Sequence, residues 1–390
     1  MNSKTILLLY EKDHLKQPFI KLLLKSLKDH CPKARIFMAS LSPKEEIKDD
    51  HIGIFLSLAK WKKSKAQNPG YVKRVYGAGG FSRRFIKDVH DLSNMHKPDL
   101  IITFLPLGFF AAQTWARLYG CRSVYYPFEI YGKQRSKYSW LVVVMEILGF
   151  LMKPDAVITQ NEHRAKFYVE RRYSRIKPVI AHNYKSRPDT SVSTVDFSVN
   201  HGIPRDKKVV LYQGMLSEGR WLDRLVEAAK YFRDDAVLVL MGKKQEPWWS
   251  ENIEPLLKDS STSGRIIVLE SVPHEMVFPY ARASRAGVII YDDSVLNNVY
   301  CEPGKLSDFV QAGVPTIAPA FPTIRAVVNE HHLGVVFSDY SSRGIANAVN
   351  ELLALPPGHF KGSLVAAAEY MTWEAQWPAL SRYILGNDFS

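Results

Sequence analysis

The sequence of 390 residues predicts two α/β domains in tandem, each built on a parallel, doubly wound sheet. Three observations predict this. Short apolar runs, continuous and β-branched rather than alternating, recur along the whole chain, as strands covered on both faces do. Segments of helical period lie between them, so the repeating unit is strand, helix, strand. The pattern resets once, at the polar stretch 184–201, and 390 residues are enough for two cores.

The expected strands of the first half are 5–9, 34–38, 100–104, 123–126, 156–159 and 178–181. Those of the second half are 209–213, 237–241, 266–269, 287–291, 315–318 and 335–337. Residues 220–232 are expected to be helical, with Leu222, Leu225, Val226 and Ala229 on one apolar stripe. The resulting division is a first domain over 1–186, a linker over 187–204, a second domain over 205–365, and a helix in 366–390 returning to the first domain. Residues 61–80 combine five basic residues with glycines and aromatics, and read as a mobile loop or a solvated insertion. Ligands of such sheets bind at the carboxyl edges of the strands, so two facing domains predict a cleft between them.

Composition narrows the class. Apolar residues make up 46% and charged residues 23%, the proportions of an ordinary globular protein. Cys31, Cys121 and Cys301 are scattered without metal-ligand or disulfide spacing. No apolar signal core precedes the first strand, and a cytoplasmic chain is expected. Charge is unevenly divided. Residues 1–190 hold 34 Lys and Arg against 16 Asp and Glu, a net of +18, whereas residues 191–390 carry a net of −5. A basic half implies an anionic partner: a membrane surface, nucleic acid or a phosphorylated substrate. The longest apolar run, 140–152, is interrupted by Glu146 and is shorter than the ~20 residues a spanning helix needs. It reads as a buried core helix or as a helix resting at a membrane interface, flanked by Lys133, Arg135, Lys137 and Lys153.

The segment richest in chemistry is 297–319, NNVYCEPGKLSDFVQAGVPTIAP. A Pro303-Gly304 turn leads into a helix beginning near Lys305, whose unpaired amides and positive end attract phosphate. Lys305 adds a full charge there, and Asp308, one turn on, can accept hydrogen bonds from ribose hydroxyls. On physical grounds alone, an exposed lysine and a first-turn aspartate fit equally well. Earlier, in 209–229, Gly214 follows a strand and Arg220 opens the next helix. A glycine there permits close backbone approach, and an arginine suits a diphosphate. In the first half, Glu129 stands just past a strand end, as an acceptor-orienting base or as a loop carboxylate paired with Arg135 or Lys137. Asp292 and Asp293 read as solvated turn residues rather than as metal ligands, and His331 and His332 would point apart on a helix.

These residues carry a resemblance. Pro303, Lys305 and Leu306, followed by Ala312-Gly313-Val314-Pro315, are similar to the proline–asparagine–lysine–leucine signature of GT-B-fold glycosyltransferases of the large retaining family four. Gly304 replaces the asparagine, Asp308 the ribose-binding glutamate, and Tyr300 stands where many members carry a further acidic residue. The 209–229 segment resembles the family's strand–glycine–basic loop, with Trp221 where glycine is common. The resemblance covers most of 205–385. It implies two facing Rossmann-like domains and transfer of a sugar, with retained configuration, from a nucleotide-diphosphate donor to a hydroxyl acceptor. It implies catalysis by Arg220 and Lys305, with Glu129 facing the acceptor, and a donor site of Gly214, Lys243, Ser271, Val272, Asn298, Tyr300, Gly304 and Asp308. No metal and no further cofactor are expected. The acceptor is expected to be a lipid-linked or surface-polysaccharide precursor at an anionic, cytoplasmic membrane face, and nucleic acid is not an expected partner. A sugar-nucleotide epimerase on the same fold, a nucleic-acid-binding protein and a silent glycosyltransferase-like partner are the competing readings.

Overall fold

The computed structural model describes residues 4–10, 17–40, 55–57, 89–91, 93–131, 139–172, 174–262 and 264–389. The loop 61–80 and Lys133, Arg135 and Lys137 lie outside these residues. The chain forms two compact units. One comprises Met1–His182 with Trp377–Ser390, the other Asn183–Gln376.

The first unit holds strands β1 (Thr5–Tyr10), β2 (Arg35–Ser40), β3 (Phe55–Ser57), β4 (Leu100–Thr103), β5 (Arg122–Tyr125), β6 (Ala156–Thr159) and β7 (Val179–Ile180). They form one sheet in the order β3-β2-β1-β4-β5-β6-β7, parallel throughout. Ile6 to Leu9 of β1 are fully buried, which explains why the run does not alternate. Helices α1 (Pro18–His30), α2 (Pro106–Tyr119), α3 (Ser139–Leu151) and α4 (Glu162–Arg171) connect the strands. Pro18 starts α1 where its missing N–H costs nothing, and Asn161 caps α4 by accepting from the Arg164 amide. Among the described strands, β3 alone is absent from the sequence reading; three residues are too few for a pattern.

Helix α3 has an inverted distribution of polarity. Its single charged residue, Glu146, is fully buried, where it accepts from Tyr125 and pairs with Arg172 at 2.8 Å. Burial pushes its carboxyl pKa up, while Tyr125 and Arg172 oppose that shift. The exposed positions are Trp140, Val144, Leu148 and Leu151, spaced as one helical face. Residues 140–152 are thus neither wholly a core helix nor polar on the outside.

The second unit contains β8 (Lys208–Gln213), β9 (Ala236–Met241), β10 (Ile266–Leu269), β11 (Ala286–Val288), β12 (Thr316–Pro319) and β13 (Gly334–Phe337). The parallel order is β10-β9-β8-β11-β12-β13, so the chain reverses its winding between β8 and β11. In a doubly wound sheet that reversal opens a crevice at the carboxyl ends of the two strands. Its helices include α5 (Phe197–His201), α6 (Leu222–Ala228), α7 (Trp248–Asn252), α8 (Glu254–Leu257), α9 (His274–Ala283), α10 (Leu296–Val299), α11 (Gly304–Gln311), α12 (Pro322–Glu330), α13 (Ser342–Ala354) and α14 (Lys361–Tyr370). Helix α15 (Trp373–Leu385) starts in this unit and ends in the first, where Arg122 donates to the carbonyls of Tyr383 and Ile384.

Three local expectations change. The helix over 220–232 begins only at Leu222 and gives way to a 3₁₀ turn at Ala229–Tyr231. Trp221 breaks it by taking a left-handed conformation, φ 43°, so Arg220 lies in the preceding loop rather than opening the helix. The 187–204 stretch contains α5, capped by Asp196, and the compact unit already begins at Asn183 because that segment is bonded to α11. His331 and His332 follow the end of α12 instead of lying on it.

Candidate active site

The crevice residues of the second unit come from β8, the segment after β11, and the start of α11. Gly214, directly after β8, has φ +129° and carries no side chain, and the Lys305 stem lies in the space left free. A Cβ on Gly214 would come within 2.8 Å of Lys305 Cε and 3.1 Å of its Nζ. Behind it, Gly242 at the end of β9 is pressed against the Gly214 carbonyl, which a Cβ on Gly242 would approach to 1.6 Å. Two glycines at adjacent strand ends therefore set where the lysine can go.

Lys305 is the second residue of α11. Its ammonium is buried and has no hydrogen-bond partner. It sits 4.0 Å from the ring centroid of Tyr212 and 5.3 Å from that of Tyr291. The Arg220 guanidinium lies 5.1 Å from the same Tyr291 ring and donates to the Ser217 hydroxyl at 3.3 Å. Two cations thus share one aromatic ring, which partly offsets their burial. The offset is incomplete at Lys305. Burial, followed by repulsion from Arg220, pushes its pKa well below the ordinary lysine value. At Arg220 burial acts the same way, but Tyr212 and Tyr291 outweigh it and the pKa is raised. Burial also raises the Tyr212 hydroxyl to about 12.

The Arg220 loop is tied down from both sides. The Asn298 amide donates to the carbonyls of Gly219 at 3.2 Å and Asp292 at 3.0 Å, and the Asp292 amide donates to Gly219 at 3.0 Å. Asp292 accepts from the Ser294 amide at 2.7 Å, a turn-forming contact. Trp221 is buried against Phe321 and Tyr340.

One turn along α11, Asp308 Oδ2 accepts from Lys185 Nζ at 2.6 Å and from the Gln213 amide at 3.2 Å. The Gln213 side-chain oxygen is buried without a partner. A buried ammonium and a buried amide oxygen, both unsatisfied in one crevice, are arranged for an anionic ligand that also carries hydrogen-bond donors.

The structure brings Gly214, Arg220, Asn298, Gly304, Lys305 and Asp308 together around the ends of β8 and β11. Tyr300 is half-buried and directly follows α10. Lys243 is exposed just past β9, with its carbonyl accepting from Leu216, and Ser271 and Val272 lie in the loop after β10. Glu129 belongs to the first unit, beyond β5, where its carbonyl accepts from Tyr168. Sequence reading missed Tyr212, Tyr291, Gln213 and Lys185. The first three were detectable as polar or aromatic residues ending apolar strands; Lys185, in a polar stretch, had no such signal.

Residues 194–364 match the model of the family described as glycosyl transferases group 1. The second unit thus carries the sequence pattern of that family, and the whole chain has the GT-B fold. Among solved structures, HepE from Anabaena in complex with UDP superposes on the chain with a TM-score of 0.72 at 11% identity, over 97% of this chain and 99% of that one. Sucrose-phosphate synthase from Thermosynechococcus elongatus gives 0.73 at 16% identity, over 98% and 99%. A glycosyltransferase from Rickettsia africae gives 0.72 at 12%, over the whole of both chains. No curated protein matches the chain by sequence.

Proposed function

We propose that the second unit binds a nucleoside diphosphate sugar and that the enzyme transfers its sugar to a hydroxyl acceptor. One observation carries this reading: the buried, unpartnered ammonium of Lys305 lies beside Arg220 at the switch point of the sheet. Two cations converge there, and among the described residues neither makes a salt bridge. In the proposed step the bond from the anomeric carbon to the diphosphate oxygen breaks and the electron pair leaves with the diphosphate. Lys305, Arg220 and the amides of α11 stabilise that charge. The acceptor oxygen forms the new bond and its proton passes to a base, for which Glu129 is the candidate. Anabaena HepE has been crystallised with UDP and with UDP-glucose, which supports a uridine donor.

We propose chemistry without a metal, because Lys305 and Arg220 already supply positive charge beside the proposed diphosphate position. Among the described residues no group of three or more His, Cys, Asp or Glu is placed to hold one. Calorimetry should show UDP binding unchanged by a chelator. Loss of binding on chelation would overturn the metal-free reading.

The acceptor is proposed to be lipid-linked, reached by peripheral attachment to an anionic, cytoplasmic membrane face. Among the described residues no helix is long and apolar enough to cross a membrane. The basic first half and the exposed apolar face of α3 support attachment instead. The full chain should float with anionic vesicles and not with neutral ones, and less so as salt rises. Trp140→Asp with Leu148→Asp should abolish flotation while leaving UDP binding intact. Equal flotation of this double variant would remove α3 from the contact.

A further inference from the structure

Asp308 stands where the resembled signature has a longer glutamate, and Gly304 where it has an asparagine. Lys185 meets both. Its Nζ is 2.6 Å from Asp308 Oδ2, and its stem runs over Gly304, where a Cβ would meet Lys185 Cε at 3.2 Å. The backbone of Lys185 is held as well. Its amide donates to Ser307 Oγ at 3.5 Å and its carbonyl accepts from the Trp373 amide at 2.9 Å. Asn183, two residues earlier, donates to the Glu302 carbonyl at 3.0 Å. The absent side chain at 304 and the lysine from a distant segment are therefore one feature.

The hydrogen bonding of the carboxylate is lopsided. Lys185 and Gln213 both donate to Oδ2, whereas Oδ1 accepts from neither. An ammonium has three protons, and one is used on Asp308. The pair thus presents an open carboxylate oxygen beside unused N–H donors, the complement of a vicinal diol whose hydroxyls both donate and accept. The half-buried setting, with side-chain exposures of 35% for Lys185 and 13% for Asp308, keeps the lysine reachable by a ligand.

We propose that Lys185 is a donor-positioning residue that reads the ribose diol together with Asp308. This rests on the assignment of the crevice to a nucleoside diphosphate. Lys185 holds Oδ2 so that Oδ1 faces one hydroxyl, and its remaining protons reach the oxygen of the other.

The test compares binding of a nucleoside diphosphate with that of its 2′-deoxy form, in wild type and Lys185→Met. Uridine, adenosine and guanosine diphosphates are screened first, and the tightest is used. Wild type should prefer the ribo form about tenfold, the order expected for a hydrogen bond to a charged group. Lys185→Met, which keeps the stem, should lose most of that preference and raise KM for the donor with kcat little changed. Gly304→Ala, which displaces the Lys185 stem and alters no charge, should reduce the preference part-way and serves if the first variant does not fold. Variants that keep the full ribo preference would reduce Lys185 to a structural ion pair and overturn the proposal while leaving the site reading intact. A wild type that does not distinguish the two forms would overturn the ribose role of Asp308 and this proposal with it.

Discussion

Replacing Lys305 with methionine should make the ligand-free protein more stable and, in the proposed transfer, much less active. The methionine keeps the stem over Gly214 and removes a buried ammonium that has no hydrogen-bond partner. An unsatisfied buried polar group costs roughly 1–3 kcal/mol, so the melting temperature should rise by about 2–4 °C for each kcal/mol recovered. Transfer should fall by about 10²–10³, the usual effect of deleting one stabiliser of developing charge. Thermal unfolding and initial rates, measured on the same preparation, check both halves. A destabilised variant with normal turnover would place Lys305 outside the site.

The same residue fixes a pH signature. Its pKa is depressed in the empty site, so between that value and the ordinary 10.5 the unfolded chain binds more protons than the folded one. The Lys305 contribution to stability therefore rises with pH across this window and is most unfavourable below it. In the proposed site a bound diphosphate would raise the pKa again, so at pH values above the depressed pKa binding should take up a proton, and the measured enthalpy should change with the ionisation enthalpy of the buffer. Lys305→Met should abolish that dependence.

Gly242→Ala is expected to be the most damaging small substitution in the second unit. Its Cβ would lie 1.6 Å from the Gly214 carbonyl oxygen, so β8 and β9 must part at their carboxyl ends. Overpacking of this kind costs about 1–3 kcal/mol, and backbone against backbone belongs at the upper end. Because Gly214 carries the Lys305 stem, nucleotide binding should fall with stability. Gly362→Ala is the control. It lies in α14 with nothing within 4 Å of its Cβ, and should be neutral or stabilising by up to about 1 kcal/mol. Denaturant unfolding of both variants decides the point; equal stabilities would mean that the strand ends adjust freely.

Much of this architecture was legible in the sequence. Parallel strands buried on both faces have to be continuous apolar runs, and β1, β8 and β9 are such runs. The start of α11 was legible because Pro303 and Gly304 punctuate the chain before Lys305. What the sequence could not show was governed by distance in the chain. Lys185 and Asp308 are 123 residues apart, and no local pattern links them. The Arg220 register failed for a related reason. Trp221 takes a conformation that propensity disfavours, because its ring is held by Phe321 and Tyr340 from far downstream.

That tryptophan bears on the cost of binding. A bulky residue at φ 43° stores roughly 1–3 kcal/mol of backbone strain, sustained here by burial of the indole. With Asn298 also bridging Gly219 and Asp292, the loop on either side of Arg220 is immobilised before any donor arrives. A free surface arginine would lose most of its rotational freedom on gripping a diphosphate, whereas this loop has lost much of its freedom during folding. On the proposed role of Arg220, the entropy loss is thereby shifted from each encounter with substrate to the single event of folding, and the guanidinium would meet the departing charge already in place.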